Sequence, residues 1–71
     1  MPLHTFTGVE RIKVVEESHP LVGKCGKVVR RLQSFTGAMV NMDDELPDVL
    51  RRSRGDRNTV LFPDECEAVQ G

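Results

Sequence analysis

The stretch from Arg11 to Leu32 constrains the fold of this chain most strongly. Two runs rich in β-branched residues, Arg11–Glu16 and Lys27–Leu32, flank a turn-rich segment that contains Pro20 and Gly23. β-Branched residues favour extended backbone, whereas proline and glycine interrupt it. The stretch therefore predicts a strand, a long loop and a returning strand that pairs with the first.

Three further short segments have the pattern of strands. Ala38–Met42 alternates between two faces, and Thr59–Phe62 is a β-branched run that stops at a proline. Pro63–Glu65 predicts a 3₁₀ turn, and Cys66–Val69 predicts a last strand. The sequence therefore predicts an all-β fold with five strands.

A chain of 71 residues has room for one domain with a modest core. We assign residues 9–71 to that domain and residues 1–8 to a flexible lead-in, although Phe6 is placed to fold over one end of the sheet. Residues 43–58 form a long loop between the third and fourth strands. A loop of that length in so small a domain is usually functional or disordered.

Residues 12–32, IKVVEESHPLVGKCGKVVRRL, resemble the KOW motif of ribosomal proteins and transcription elongation factors. The shared features are a valine-rich first strand, a Gly-Lys pair at Gly23, and the sequence Gly-Lys-Val that starts at Gly26. In that family the motif belongs to an SH3-like barrel that often contacts RNA or a polymerase-bound partner. The resemblance and the strand count together imply a single five-stranded SH3-like barrel.

Residues 61–69, LFPDECEAV, are similar to the closing segment of small SH3-like accessory subunits of photosynthetic redox complexes. Those proteins dock onto larger assemblies and carry no catalytic groups. This resemblance implies an adaptor subunit that docks onto a larger assembly. For such a subunit we expect an exposed apolar patch, rimmed by arginines, that binds a protein partner. The residues predicted for that patch are Met39, Leu46, Val49 and Leu50.

Two basic clusters predict contact with RNA or a nucleoprotein, one on the second strand and one in the 43–58 loop. If the loop folds beside the hairpin, the clusters form one phosphate-binding surface, since arginine suits bidentate contacts. The alternative is that they are solvating charges, partly neutralised by the acids Asp43–Glu45. The residues predicted to bind nucleic acid are Lys24, Lys27, Arg30, Arg31, Arg51, Arg52, Arg54 and Arg57.

Two compositional features limit how such a protein binds nucleic acid. The net charge of −1 argues against indiscriminate binding to polyanions. The chain has three phenylalanines and no tyrosine or tryptophan, so base stacking is a weak mode of binding. Phe35, at a turn between strands, is the one candidate for an exposed stacking platform.

The pattern of polar residues does not predict an enzyme. Cys25, Cys66, His4 and His19 are the soft metal ligands, and no two of them have the CxxC spacing of a zinc site. The consecutive acids of Asp43–Glu45 point in different directions, which does not suit acid–base catalysis. We therefore predict a binding module without catalytic residues, metal or cofactor.

The N-terminal residues do not combine a charged leader with a continuous apolar core, so we predict no signal peptide and no membrane span. The expected compartment is the cytoplasm or an organelle stroma or matrix, where the two cysteines remain free thiols. The sequence leaves the oligomeric state open, and self-association through a sheet edge is a third possibility beside RNA and a protein partner.

Overall fold

The computed structural model describes residues 2–32 and 37–69 and has the five strands that the sequence predicts. The elements are β1 (Arg11–Val14), β2 (Cys25–Arg31), β3 (Ala38–Met42), β4 (Asn58–Leu61), a 3₁₀ turn (Pro63–Glu65) and β5 (Cys66–Ala68). All pairings are antiparallel, and the strand order across the sheet is β4-β3-β2-β1-β5. The all-β prediction is confirmed.

The sheet is not the closed barrel that the sequence analysis expected. β4 and β5 form its two edges and do not pair with each other. The 3₁₀ turn leads the chain from one edge to the other, and the N-terminal segment lies beside β5. There the Leu3 amide donates to the carbonyls of Cys66, at 2.9 Å, and Pro63, at 3.1 Å. The N-terminal segment, and not β4, therefore takes up backbone groups at this edge.

The alternation predicted for β1 and β3 is confirmed by the burial of their side chains. Ile12 and Val14 on β1 are fully buried, as are Ala38 and Val40 on β3, while Met42 is 1% exposed. Residues paired across antiparallel strands share a face of the sheet. These side chains therefore define one inner face, which is where the core lies.

Residues outside the strands complete the core. Phe6 is 1% exposed, so the segment expected to be a flexible lead-in places its aromatic ring in the core. Leu21 from the loop between β1 and β2 and Leu46 from the loop between β3 and β4 are also buried. The N-terminal segment and two loops thus supply side chains that cover the inner face of the small sheet.

A β-bulge interrupts the pairing of β2 with β3. Val28 pairs with Val40 and Arg30 pairs with Met39, so Val29 is the extra residue on β2. Strict alternation from Lys27 would send Arg30 to the inner face. The bulge shifts the register by one residue, and Arg30 therefore lies on the same face as Lys27.

The connection between β3 and β4 is folded against the sheet. Its two ends meet where the Leu46 amide donates to the Asp56 carbonyl at 2.9 Å. A turn follows, in which the Leu50 and Arg51 amides both donate to the Pro47 carbonyl. The buried Leu46 side chain anchors this segment to the core. The turn predicted between β2 and β3, with Phe35, lies largely outside the described residues.

Candidate nucleic-acid interface

The side of the sheet that faces away from the core carries most of the charged strand residues. We define this outer face by two kinds of strand residue. The first kind alternates along a strand with the buried residues, and the second kind pairs with a residue of the first kind on a neighbouring strand. They are Arg11, Lys13, Cys25, Lys27, Arg30, Met39, Asn41, Asn58, Val60 and Glu67. Four of these residues are cationic and one is acidic, so the outer face is basic although the whole chain is slightly acidic.

A polar row crosses four strands at the centre of the outer face. Arg11 pairs with Lys27, Lys27 pairs with Asn41, and Asn41 pairs with Asn58. The Asn41 amide nitrogen Nδ2 donates to Asn58 Oδ1 at 3.1 Å. The amide pair therefore lies on the strands next to Lys27, and the Lys27 and Asn58 side chains are exposed.

Three cations of the outer face have no carboxylate within ion-pair distance in residues 2–32 and 37–69. They are Lys13, Lys27 and Arg30, which we call the free cation line. All three side chains are exposed. Among the described residues these exposed cations are available to an anionic partner without first breaking an ion pair, and Lys13 lies opposite Glu67 of β5 on the same face.

Arg11 differs from the free cation line because it is already paired. Its Nη2 atom donates to Asp43 Oδ2 at 2.5 Å, across the width of β2. The hydrogen bond and the charge of Asp43 both raise the pKa of the Arg11 guanidinium. Arg11 therefore contributes less to an external anion site than its position on the outer face suggests.

The acidic residues that follow β3 neutralise basic residues predicted to bind nucleic acid. Lys24 Nζ lies 3.8 Å from Asp44 Oδ2, and Arg51 Nη1 donates to Glu45 Oε1 at 2.9 Å. Arg51 also bonds to Asp48. This is the partial neutralisation that the sequence left open as the alternative.

Arg52, in the same loop, is engaged by the loop itself. Its Nε atom lies 3.5 Å from Asp56 Oδ2, and its Nη2 atom donates to the Asn58 carbonyl at 3.4 Å. Backbone amides of Arg52 and Asn58 also donate to the Asp56 carboxylate, and they hold the pKa of Asp56 below its ordinary value. Arg52 therefore serves to close the loop onto β4.

The remaining predicted cations are exposed but do not belong to the outer face. Arg31 pairs with Ala38 and thus emerges on the opposite side of the sheet, at its end. Arg54 and Arg57 both lie in the β3–β4 connection, and the Arg57 carbonyl, just before β4, accepts from the Met42 amide at 2.8 Å. Of the eight predicted cations, only Lys27 and Arg30 share the outer face.

The structure does not assemble the apolar patch predicted for a protein partner. Leu46 is 1% exposed and belongs to the core, which corrects its assignment to an exposed surface. Leu50 packs against the core, whereas Val49 is 79% exposed. Met39 lies away from this group, on the outer face opposite Val60. The buried Leu46 side chain instead anchors the long loop to the core.

The histidine of the first loop has a structural contact. His19 Nδ1 accepts from the Leu21 amide at 3.0 Å, and His19 Nε2 lies 3.7 Å from Glu65 Oε2. Glu65 Oε1 in turn accepts from the Phe62 amide at 3.0 Å. These contacts join the first loop to the 3₁₀ turn.

The described residues contain no group of three or more His, Cys, Asp or Glu side chains that could hold a metal ion. The two cysteines are free thiols. Burial raises the pKa of the Cys66 thiol to about 12, and the carboxylates of Glu65 and Asp64 add to that effect. Cys66 is therefore a protonated core residue at neutral pH.

Sequence reasoning missed several polar residues of the outer face, among them Lys13, Asn41 and Asn58. The alternation of β1 and β3 already placed Lys13 and Asn41 away from the core. The missing information was the strand order and register, which puts them beside Lys27. Neither the strand order nor the register can be inferred from a local sequence pattern.

Comparison with known proteins does not place this chain in a family. No family model matches it, and neither the curated proteins nor the solved structures contain a match. Over the part of the chain that the structure describes, no helix has the length and apolar character needed to cross a membrane. The geometry of the outer face is therefore the basis on which a function is proposed.

Proposed function

We propose that this protein is a non-catalytic binding module that docks on RNA or a nucleoprotein through the outer face of its sheet. The observation that carries the proposal is the bulge at Val29, which brings Arg30 to the face of Lys27. Both cations are exposed and without an acidic partner among the described residues. The proposed compartment is the cytoplasm or an organelle stroma or matrix, where thiols stay reduced.

We also propose that the architecture is SH3-like, in an open form. The order β4-β3-β2-β1-β5, the long first loop and the 3₁₀ turn before the last strand support this description. The resemblance of residues 12–32 to the KOW motif agrees with it. The open edge between β4 and β5 is the feature that departs from a closed barrel.

The number of free cations sets the strength and salt dependence of binding. Each phosphate neutralised contributes about −0.7 to −0.9 to the slope of log K against log salt. Three contacts, from Lys13, Lys27 and Arg30, then lower the affinity roughly 20- to 40-fold between 50 and 200 mM salt. Because only three phosphates are contacted, we expect binding that is weak and depends on the salt concentration.

The test compares two charge-reversal variants of equal charge. Lys27→Glu with Arg30→Glu changes the outer face, while Arg31→Glu with Arg54→Glu changes exposed cations away from it. Binding to labelled RNA, measured by fluorescence polarisation, should fall more than tenfold for the first pair and less than about threefold for the second. Equal losses for the two pairs, or no binding by the native protein, would contradict the proposal.

A second candidate function is that of an adaptor subunit bound to a protein. It is favoured by the apolar pair Met39 and Val60 next to Arg30 on the outer face, and by Val29, which is 58% exposed. A small apolar centre beside an arginine is typical of protein interfaces. A partner that stays bound after nuclease treatment, and is lost with Met39→Asp, would favour this function over RNA docking.

A further inference from the structure

We infer that the ligand of the outer face is the backbone of double-stranded RNA. This inference rests on the proposed function and specifies the nucleic acid. It depends on three features of the outer face: the absence of aromatic strand residues, the spacing of the free cation line, and the amide pair Asn41–Asn58.

The strands present no platform on which bases of a single strand could stack. All residues of β1–β5 are described, and none of their outward positions holds an aromatic side chain. Phe6 is in the core, Phe62 is 41% exposed but lies beyond β4 at the 3₁₀ turn, and Phe35 lies outside the described residues. Recognition of single strands usually relies on aromatic stacking. The composition of the face therefore favours contacts with a nucleic-acid backbone.

The free cation line has the extent needed to reach more than one phosphate group. Lys13 pairs with Cys25, two residues before Lys27 on the adjacent strand. With a rise of ~3.3 Å per residue and a strand spacing of ~4.8 Å, the Cα atoms of Lys13 and Lys27 are roughly 8 Å apart. Arg30 lies roughly 9 Å further along β2. Cations spread along such a line contact phosphates of a backbone rather than a single anion.

The breadth of the sheet distinguishes between the grooves of a nucleic-acid duplex. The major groove of B-form DNA admits a helix or a two-stranded ribbon, and its minor groove is narrow. The outer face spans five strands and is too broad for either. The minor groove of A-form RNA is wide and shallow, and its edges display phosphates and 2′-hydroxyl groups. A broad sheet face fits that surface best.

The amide pair supplies groups that can recognise a 2′-hydroxyl. Asn41 Nδ2 gives one hydrogen to Asn58 Oδ1, which leaves Asn41 Oδ1 as an acceptor and Asn58 Nδ2 as a donor. A 2′-hydroxyl both donates and accepts, and so it can bond to both amides. Lys27 pairs with Asn41 on the next strand, so a phosphate contact and a hydroxyl contact fall side by side.

The experiment measures the affinity of the native protein for four labelled probes of one sequence at 50 mM salt. The probes are an RNA duplex, the DNA duplex, the single RNA strand, and an RNA duplex with 2′-O-methyl groups. We expect the RNA duplex to bind at least tenfold more tightly than the DNA duplex and the single strand. The 2′-O-methyl duplex should lose most of that preference, because methylation removes the hydroxyl donor.

A variant of the amide pair tests the same contact from the protein side. Asn41→Ala with Asn58→Ala should weaken binding to the RNA duplex about three- to tenfold and leave binding to the DNA duplex unchanged. Met39→Ala is the matched control on the same face, and we expect it to leave the RNA preference intact. If the amide variant does not fold, the 2′-O-methyl probe still tests the contact with the 2′-hydroxyl, because it is measured on the native protein.

The possible outcomes separate the inference from the proposed function. Equal affinity for all four probes, a preference for DNA or the single strand, or an undiminished affinity for the 2′-O-methyl duplex would overturn the inference. The proposed docking function would survive equal affinity, a preference for the single RNA strand, or an undiminished affinity for the 2′-O-methyl duplex, since RNA is bound in each; a preference for DNA would count against both. Absence of binding to every probe would overturn both.

Discussion

At the scale of single residues, Gly26 is a position at which the fold leaves no room for a side chain. A Cβ atom added there would lie 2.8 Å from Met42 Sδ, 2.8 Å from Val40 Cγ1 and 2.9 Å from the Asn41 carbonyl oxygen. The methionine side chain can move, but the β3 backbone cannot move without breaking the sheet. Gly26 therefore lets β3 approach β2 closely, at the start of the Gly-Lys-Val sequence.

We expect Gly26→Ala to lower the free energy of unfolding by roughly 2–3 kcal/mol, as overpacked cores do. Gly55→Ala is the control, because Gly55 has a φ of 79° and nothing within 4 Å of an added Cβ. Its cost should be about 1 kcal/mol, which is the strain of the left-handed region alone. Urea denaturation of both variants measures the difference, and similar losses would contradict the close-packing account.

The two cysteines should differ in reactivity. Cys66 is fully buried and the pKa of its thiol is about 12, so the reactive thiolate is almost absent at pH 8. Cys25 is partly exposed on the outer face. We expect iodoacetamide at pH 8 to modify Cys25 in the native protein and Cys66 only after denaturation. Mass spectrometry of the peptides measures both rates, and equal rates in the native protein would contradict the burial of Cys66.

At the scale of elements, the bulge in β2 decides which cations share a face. Deleting Val29 removes the extra residue, so Arg30 follows Val28 directly and regular alternation keeps Arg30 on the outer face opposite Met39. We therefore expect a folded deletion variant to bind RNA within about threefold of the native affinity, whereas Arg30→Glu reduces it. Val29→Ala, which keeps the bulge, is the control and should also bind normally. A loss by the folded deletion variant as large as that of Arg30→Glu would contradict the register proposed for Arg30.

The Asp56 carboxylate contributes to the closure of the β3–β4 connection. Amides of Arg52 and Asn58 lower the pKa of Asp56, so these contacts stabilise the loop above the ordinary pKa of an aspartate. That stabilisation is lost as the pH falls through the lowered pKa. We expect amide exchange at Arg52 and Asn58 to be faster in Asp56→Ala at neutral pH. An unchanged exchange rate would contradict this role.

The sequence predicts elements well and their relations poorly. Alternation placed β1 and β3 and their inward residues, because the two-residue period is local. The bulge was not predicted, since Val28 and Val29 are identical in type and only the pairing with β3 tells them apart. The Arg11–Asp43 contact joins residues far apart in sequence, and no local pattern signals it. From the sequence, the eight predicted cations are therefore equally good candidates for binding nucleic acid. In the structure, several of them are paired with carboxylates.

At the scale of the whole molecule, the open sheet leaves two edges that need protection from other chains. At the β5 edge, the backbone amide of Leu3 donates to the Cys66 carbonyl. On β4 the Asn58 amide is bonded by Asp56 and its carbonyl by Arg52. A backbone amide at β5 and side chains at β4 thus occupy edge groups that would otherwise pair with another strand.

We accordingly expect the protein to be a monomer, in contrast to the self-association that the sequence left open. Sedimentation equilibrium at micromolar concentration measures this directly. Arg52→Ala with Asp56→Ala should expose the β4 edge and increase self-association, whereas Arg54→Ala in the same loop should not. A native dimer of micromolar affinity or tighter would contradict the protection of the edges.

The central claim is that the outer face, and within it the free cation line, binds nucleic acid. Titration of ¹⁵N-labelled protein with an RNA duplex tests it most directly, because amide shifts map the contact surface residue by residue. We predict the largest shifts at Lys13, Lys27, Arg30 and Asn41, with small shifts across the β3–β4 connection. Shifts concentrated in residues 43–57, or no shifts at all, would contradict the claim.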